Sequence, residues 1–205
     1  MGCIALLAAT LVGKEGLVIA VEPNLDNVQL LYAGVALNKA DNVRVLPCAA
    51  SDRSGLVSLT GGSNSQLVDA QQPGASAVYA QTVVLDEALS WLPRLDLLKM
   101  DVEGHESFAL DGCRKLIERH RPTLIVEFSP SYLSNLGFTD PAGLLDRLLA
   151  CYPAIRATSA YGDDATFDRP ADLMAYWERR SQELTASGLI AGDALHLDLI
   201  AERGR

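Results

Sequence analysis

The chain has no C-x-x-C pair: its four cysteines, Cys3, Cys48, Cys113 and Cys151, stand far apart. That spacing encodes neither a zinc ribbon nor a disulfide frame, and the cysteines read as small buried hydrophobes in a reducing compartment. Basic residues are few. Seventeen Lys and Arg face 26 Asp and Glu, a formal charge of −9 over 205 residues. A surface this acidic is repelled by phosphate backbones, and no basic run offsets it, so nucleic acid is excluded as a partner. Aromatics make up only 6% of the chain, while 49% is apolar. A Val/Leu/Ala-rich sheet covered by helices fits that balance, and a disordered chain does not. Long hydrophobic runs are missing too. The opening Cys3–Val12 stretch has no basic residue ahead of it and is too short to cross a bilayer; position 6 is Leu, where a myristoylation signal needs Ser or Thr. It reads as a buried helix, and the expectation is a cytoplasmic protein without a membrane partner.

What is present alternates between strand-like and helix-like stretches. Leu17-Val-Ile-Ala-Val21 is a continuous apolar run of strand length, ended by Glu22-Pro23-Asn24. Asn24 is an N-cap for a helix with apolar positions at Leu25, Val28, Leu31, Tyr32 and Val35. Val43–Leu46 is a second strand, the turn 51–55 follows, and 56–60 alternates as a half-exposed strand does. Residues 61–76 are small and polar, a loop that suits a lid. Strand character returns at 82–85, with Asp86 capping a short helix through Trp91. Leu95–Met100 is another buried strand, one helix follows up to Arg121-Pro122, and Thr123–Phe128 is buried again. Asp140-Pro141 marks a helix start, 155–158 a strand, 171–184 a helix ending in a solvated Arg179-Arg180 pair, and 194–201 a closing edge strand. Alternation of this kind builds an α/β domain with a mostly parallel sheet. No repeat or linker divides it, so 1–205 reads as a single domain.

Ligands of open α/β sheets gather at the carboxyl ends of the strands. Three apolar runs here end in acids, Glu22, Asp101 and Glu127. An acid in that position can accept both ribose hydroxyls of an adenosine cofactor.

Several blocks together carry a family resemblance. They are Val18-Ile-Ala-Val-Glu-Pro-Asn24, Ala49-Ala-Ser-Asp52 with Gly55, Leu85-Asp86, Lys99-Met-Asp-Val-Glu-Gly-His-Glu106 with Gly112, then Arg121-Pro122 and Glu127. In this order they resemble the FkbM-type methyltransferases, over roughly residues 2–130. The resemblance implies a Rossmann-like class I methyltransferase sandwich with an antiparallel strand near the C-terminus. It implies S-adenosylmethionine as cofactor and a small-molecule hydroxyl, on a sugar, glycan or natural product, as acceptor. By position, Glu22 would bind the ribose diol with support from Asn24. Ser51 and Asp52 would lie near the adenine, and Asp101 near the methionine end and the acceptor. Such proteins begin with a strand and an Asp-x-Gly-Ala-Asn-x-Gly turn, of which only the last glycine is present, as Gly2. The expectation is a start assigned too late, inside this loop, with the central first strand lying upstream; a true fragment is the alternative.

Transfer to a hydroxyl needs an in-line arrangement and a proton acceptor. Asp101, Glu103 and His105 are the nearby catalytic candidates, Glu127 a more remote one. Asp101-x-Glu103-x-His105 also offers ligand types for a divalent metal. Strand-end acids are more often tied to nearby backbone, so no metal site is assigned. Glu106 reads as a favourable charge in a first helical turn. Trp91, Trp177 and the six tyrosines read as core or rim residues. The rival readings are an NAD-dependent oxidoreductase, whose ribose also binds such an acid, and a catalytically inactive fragment serving as an interaction module.

Overall fold

A computed structural model describes residues 2–59, 67–69, 78–135, 139–192 and 194–203. The chain packs as two compact units, Met1–Val83 and Val84–Arg205.

The first unit contains α1 (Cys3–Val12), β1 (Val18–Val21), α2 (Leu25–Asn38), β2 (Val43–Leu46), β3 (Ala49–Ala50), β4 (Gly55–Leu59), β5 (Leu67–Asp69) and β6 (Val78–Val83). β1 and β2 pair in parallel, Val18 opposite Val43 through Val21 opposite Leu46. β6 lies between β3, parallel to it, and β4, antiparallel to it; β5 extends β4. The loop expected over 61–76 lies outside the described residues apart from strand β5. The Asn42 side chain donates to the carbonyls of Ala9 (3.0 Å) and Gly13 (2.8 Å), tying the end of α1 to the entry of β2.

The expected full burial of α1 does not hold. Ala9 is buried, but Leu7 and Leu11 are 60% and 76% exposed. One side of α1 meets β1, β2 and α2. Apolar composition all round a helix does not dictate how many neighbours surround it.

The second unit contains α3 (Leu85–Ala88), β7 (Leu97–Met100), α4 (Glu106–Asp111), α5 (Arg114–His120), β8 (Thr123–Phe128), α6 (Pro130–Asn135), α7 (Pro141–Leu149), β9 (Ile155–Thr158), β10 (Asp164–Phe167), α8 (Pro170–Ala186) and β11 (Leu197–Ala201). Its sheet runs β10-β9-β11-β8-β7. β7 and β8 are parallel; β11 is antiparallel to both β8 and β9. β11 is therefore interior, and β10 is the edge expected of it. Alternation shows which side chains are buried, not how many strands flank them. The core gathers Leu124, Val126 and Phe128 of β8, Leu144 and Leu148 of α7, and Leu199 of β11.

Two further local expectations change. The helix before Arg121 is two helices, broken at Gly112 and Cys113. Asp86 does not cap its own helix. Its carboxylate accepts from the backbone N–H groups of Lys115 (3.0 Å) and Leu116 (2.8 Å), capping α5 from 29 and 30 residues away. Asp86 N–H in turn donates to the Gly112 carbonyl at 2.8 Å, so the helix break and the start of α3 hold each other.

Candidate active site

In the first unit the end of β1 is built for a fixed carboxylate. Glu22 continues the ladder, its N–H donating to Leu46 O at 3.1 Å. Pro23 removes the next donor and ends the pairing. Asn24 takes extended backbone and caps α2, its side-chain oxygen accepting from Asp26 N (2.9 Å) and Asn27 N (3.4 Å). Its own N–H donates to Glu22 Oε1 at 2.8 Å. Asn24 thus serves Glu22 through its backbone and the helix through its side chain, and the structure brings the two expected residues together.

Gly2 sits at the start of α1 with φ of 79°, where an added Cβ would come within 2.7 Å of Leu31 Cδ1. The left-handed backbone favours glycine here, while the close atom is the tip of the Leu31 side chain, which can shift. Ser51 is buried; its N–H donates to Val83 O at 3.0 Å and its hydroxyl to Asp52 Oδ1 at 3.1 Å.

In the second unit Asp101 follows β7 and its Oδ2 is 3.0 Å from Lys99 Nζ. The chain then turns sharply: Glu103 has φ of 55° and Gly104 φ of 96°. A left-handed glutamate is strained unless its surroundings hold it. Glu106 does the holding. It is 2% exposed, and its Oε1 accepts from Val102 N (3.0 Å) and Gly104 N (3.3 Å). The charge read as a helix-start preference is instead the buried anchor of the candidate loop. Burial pushes its carboxyl above the usual range and the Glu127 charge adds to that, against the backbone hydrogen bonds, which pull it down.

Glu106→Ala is expected to cost about 2–3 kcal/mol, because two N–H groups lose their acceptor in a buried loop. Glu106→Gln keeps an oxygen there and should cost less. The carboxyl's folded pKa is raised, so its stabilising contribution is present at low pH and is lost as pH rises through the folded value. The amide does not titrate, so the deficit of Glu106→Gln should narrow from pH 4 to pH 8 in urea titrations. A constant deficit would mean that Glu106 does not titrate where this burial requires.

Around this loop stand Glu103, Glu127 and a residue that sequence reasoning passed over, His196. Burial raises the Glu103 carboxyl, the charges of Glu127 and Asp101 raise it further, and His196 opposes them. His196 Nδ1 lies 3.1 Å from Glu127 Oε1. His105, the histidine expected at the site, starts α4 with its ring stacked on Phe108 at 4.7 Å between centroids. The sequence reading places His196 inside a strand over 194–201; the structure starts β11 at Leu197 and pairs it antiparallel to β8, which brings His196 to this rim.

Among the described residues no group of three or more His, Cys, Asp and Glu is arranged to hold a metal ion, and no helix is long and apolar enough to cross a membrane.

The fold is that of the Rossmann-like class I methyltransferases. It is similar to the crystal structure of the methyltransferase FkbM from Methylobacillus flagellatus KT, with a TM-score of 0.52 and 20% identity, over 80% of this chain and 40% of that one. The chain thus spans 40% of the length of that protein. No curated protein matches the chain. The methyltransferase FkbM domain family matches residues 2–151. The chain belongs to this family.

Proposed function

We propose that this protein uses S-adenosylmethionine to methylate a hydroxyl oxygen of a small molecule, a sugar, glycan or natural product, in the cytoplasm and without a nucleic-acid or membrane partner. The observation that carries the reading is the acid cluster Asp101, Glu103 and Glu127 at the ends of β7 and β8. Bound S-adenosylmethionine supplies an electrophilic methyl on a cationic sulfonium, and such a cluster favours a cation. A dinucleotide's anionic pyrophosphate would meet charge of its own sign there. Glu22 supports the cofactor assignment separately. An ionised carboxylate has about four acceptor sites, and the Asn24 N–H takes one on Oε1, so capacity for a ribose diol remains. Ser51 and Asp52 take the adenine side and Gly2 the carboxypropyl end, in line with the family resemblance. Asp101, with its Oδ2 fixed by Lys99, orients the acceptor.

The test is calorimetric titration with S-adenosylmethionine and, in parallel, NAD. Binding of the former alone is expected, and binding of NAD alone would overturn the reading. Asp101→Asn is expected to lower release of S-adenosylhomocysteine by about 100-fold, as loss of a preorganised charge does, while cofactor affinity changes less than about threefold. Equal losses in both would make Asp101 a binding residue only.

A further inference from the structure

The tail of the chain returns to the rim that carries the candidate acids. β11 is antiparallel to β8 with Leu197 opposite Phe128, and β8 is parallel to β7 with Val126 opposite Met100. The residue just before β11 therefore stands beside the residues that close β7 and β8. That residue is His196. Its side chain is 35% exposed and that of Glu127 20%, open enough to meet a ligand and shielded enough for their contact to matter. Tyr132 of α6 meets the imidazole edge-on, 5.1 Å between centroids, and limits its tilt.

We propose that His196, oriented by Glu127, accepts the proton of the hydroxyl that is methylated; the proposal rests on the methyltransferase reading above. An ionised carboxylate can only accept hydrogen bonds, so Glu127 requires the hydrogen on Nδ1, and in the neutral ring the lone pair is then on Nε2. A carboxylate that fixes the tautomer of a basic histidine is a recurrent arrangement for drawing a proton from a hydroxyl. As the acceptor oxygen's lone pair forms the O–CH3 bond, the methyl–sulfur bond breaks with its electron pair left on sulfur. The hydroxyl proton passes to Nε2, and the imidazolium later releases it to water. One positive charge is lost at sulfur and one gained on the ring. An acid-rich rim stabilises the ring's new charge.

The groups acting on His196 are Glu127 on β8, Tyr132 on α6, and Asp101 and Glu103 after β7; Asp198 of β11 is the register partner of Glu127 and is exposed. The hydrogen bond to Glu127 raises the imidazole above its ordinary value of 6.5, against burial, and the charges of Glu127, Glu103 and Asp101 raise it further. A base whose conjugate acid is stabilised in this way becomes free only at higher pH. The rate should therefore climb with pH through a midpoint above 6.5, and Glu127→Gln should move that midpoint down.

The experiment is 15N NMR of the imidazole nitrogens in the whole protein, wild type against Glu127→Gln. It needs no acceptor. The expected result is a neutral His196 protonated on Nδ1, with a titration that falls in the variant. Protonation on Nε2, or a titration that Glu127→Gln does not move, overturns the proposal. His196→Gln should keep S-adenosylmethionine affinity within about twofold while S-adenosylhomocysteine release, assayed with methyl glycosides of the common hexoses and macrolactone alcohols, falls by about 100-fold or more. Retention of the wild-type rate and pH profile in that variant also overturns it. A wild-type protein that binds no S-adenosylmethionine removes the methyltransferase reading and the proposal with it. Binding combined with either contrary result removes the proposal alone.

Discussion

Asp163→Ala is expected to cost about 3–4 kcal/mol of folding stability, the loss typical of removing one partner from a buried ion pair. The Asp163 side chain is fully buried, 0% exposed, between the β9–β10 turn and α8. It accepts from Ser159 Oγ (2.5 Å), Tyr176 OH (2.5 Å) and Arg180 Nε (2.7 Å). Alanine strands the phenol and the guanidinium at once. Arg180 keeps Glu183 at 2.7 Å and is 23% exposed, which limits the penalty to the lower part of the range for buried pairs. Asn keeps an acceptor of similar shape and should cost roughly half as much.

The pH dependence separates charge from shape. Burial pushes the Asp163 carboxyl up, but the hydrogen bonds from Ser159, Tyr176 and Arg180 prevail and hold it below the usual range. A depressed folded pKa gives stability that is present above the unfolded value, about 3.9, and that is lost as pH falls through the folded one. Urea titrations should therefore show the Asp163→Asn deficit at pH 7 and a smaller one at pH 3. Equal stability of wild type and alanine variant at pH 7 would show that the turn does not depend on this carboxylate.

Asp163 also marks the boundary of what the sequence discloses. Arg179-Arg180 reads as a solvated helix end, yet Arg180 turns inward because an acid 17 residues earlier is buried beside it. The same boundary runs through the candidate site. Features written by neighbours in sequence were legible: the apolar run that becomes β1, the Asn24 cap, the Asp140-Pro141 start of α7, and the acids at strand ends. Features that depend on what the fold brings alongside were not. Asp86 caps a helix 29 residues on, Glu106 turns back to hold the loop before it, and His196 meets Glu127 across 69 residues. Local propensity fixes where elements start and stop, while partners of polar side chains are chosen by tertiary packing. The interior place of β11, on which the position of His196 depends, belongs to the second kind.

Glu22→Ala is expected to weaken S-adenosylmethionine binding by roughly 10- to 100-fold, since charge-assisted hydrogen bonds are each worth about 1.5–3 kcal/mol and each 1.4 kcal/mol is tenfold in affinity. The substitution has a second consequence that must be separated from the first. Glu22 Oε1 accepts the Asn24 N–H at 2.8 Å, so alanine also loosens the entry to α2, by about 1 kcal/mol. Two companions divide these effects. Glu22→Gln keeps an oxygen for the N–H but lacks the charge, so it should fold like wild type and bind with intermediate affinity. Asn24→Ala removes the side-chain cap, at about 1 kcal/mol, but leaves its backbone N–H on Glu22, so affinity should change by less than about threefold. Calorimetry with the three variants, each checked by thermal unfolding, distinguishes a ribose ligand from a helix-entry brace. If affinity followed stability across the series, with Asn24→Ala as damaging as Glu22→Ala, the carboxylate would be supporting the fold and the ribose would have to be held elsewhere.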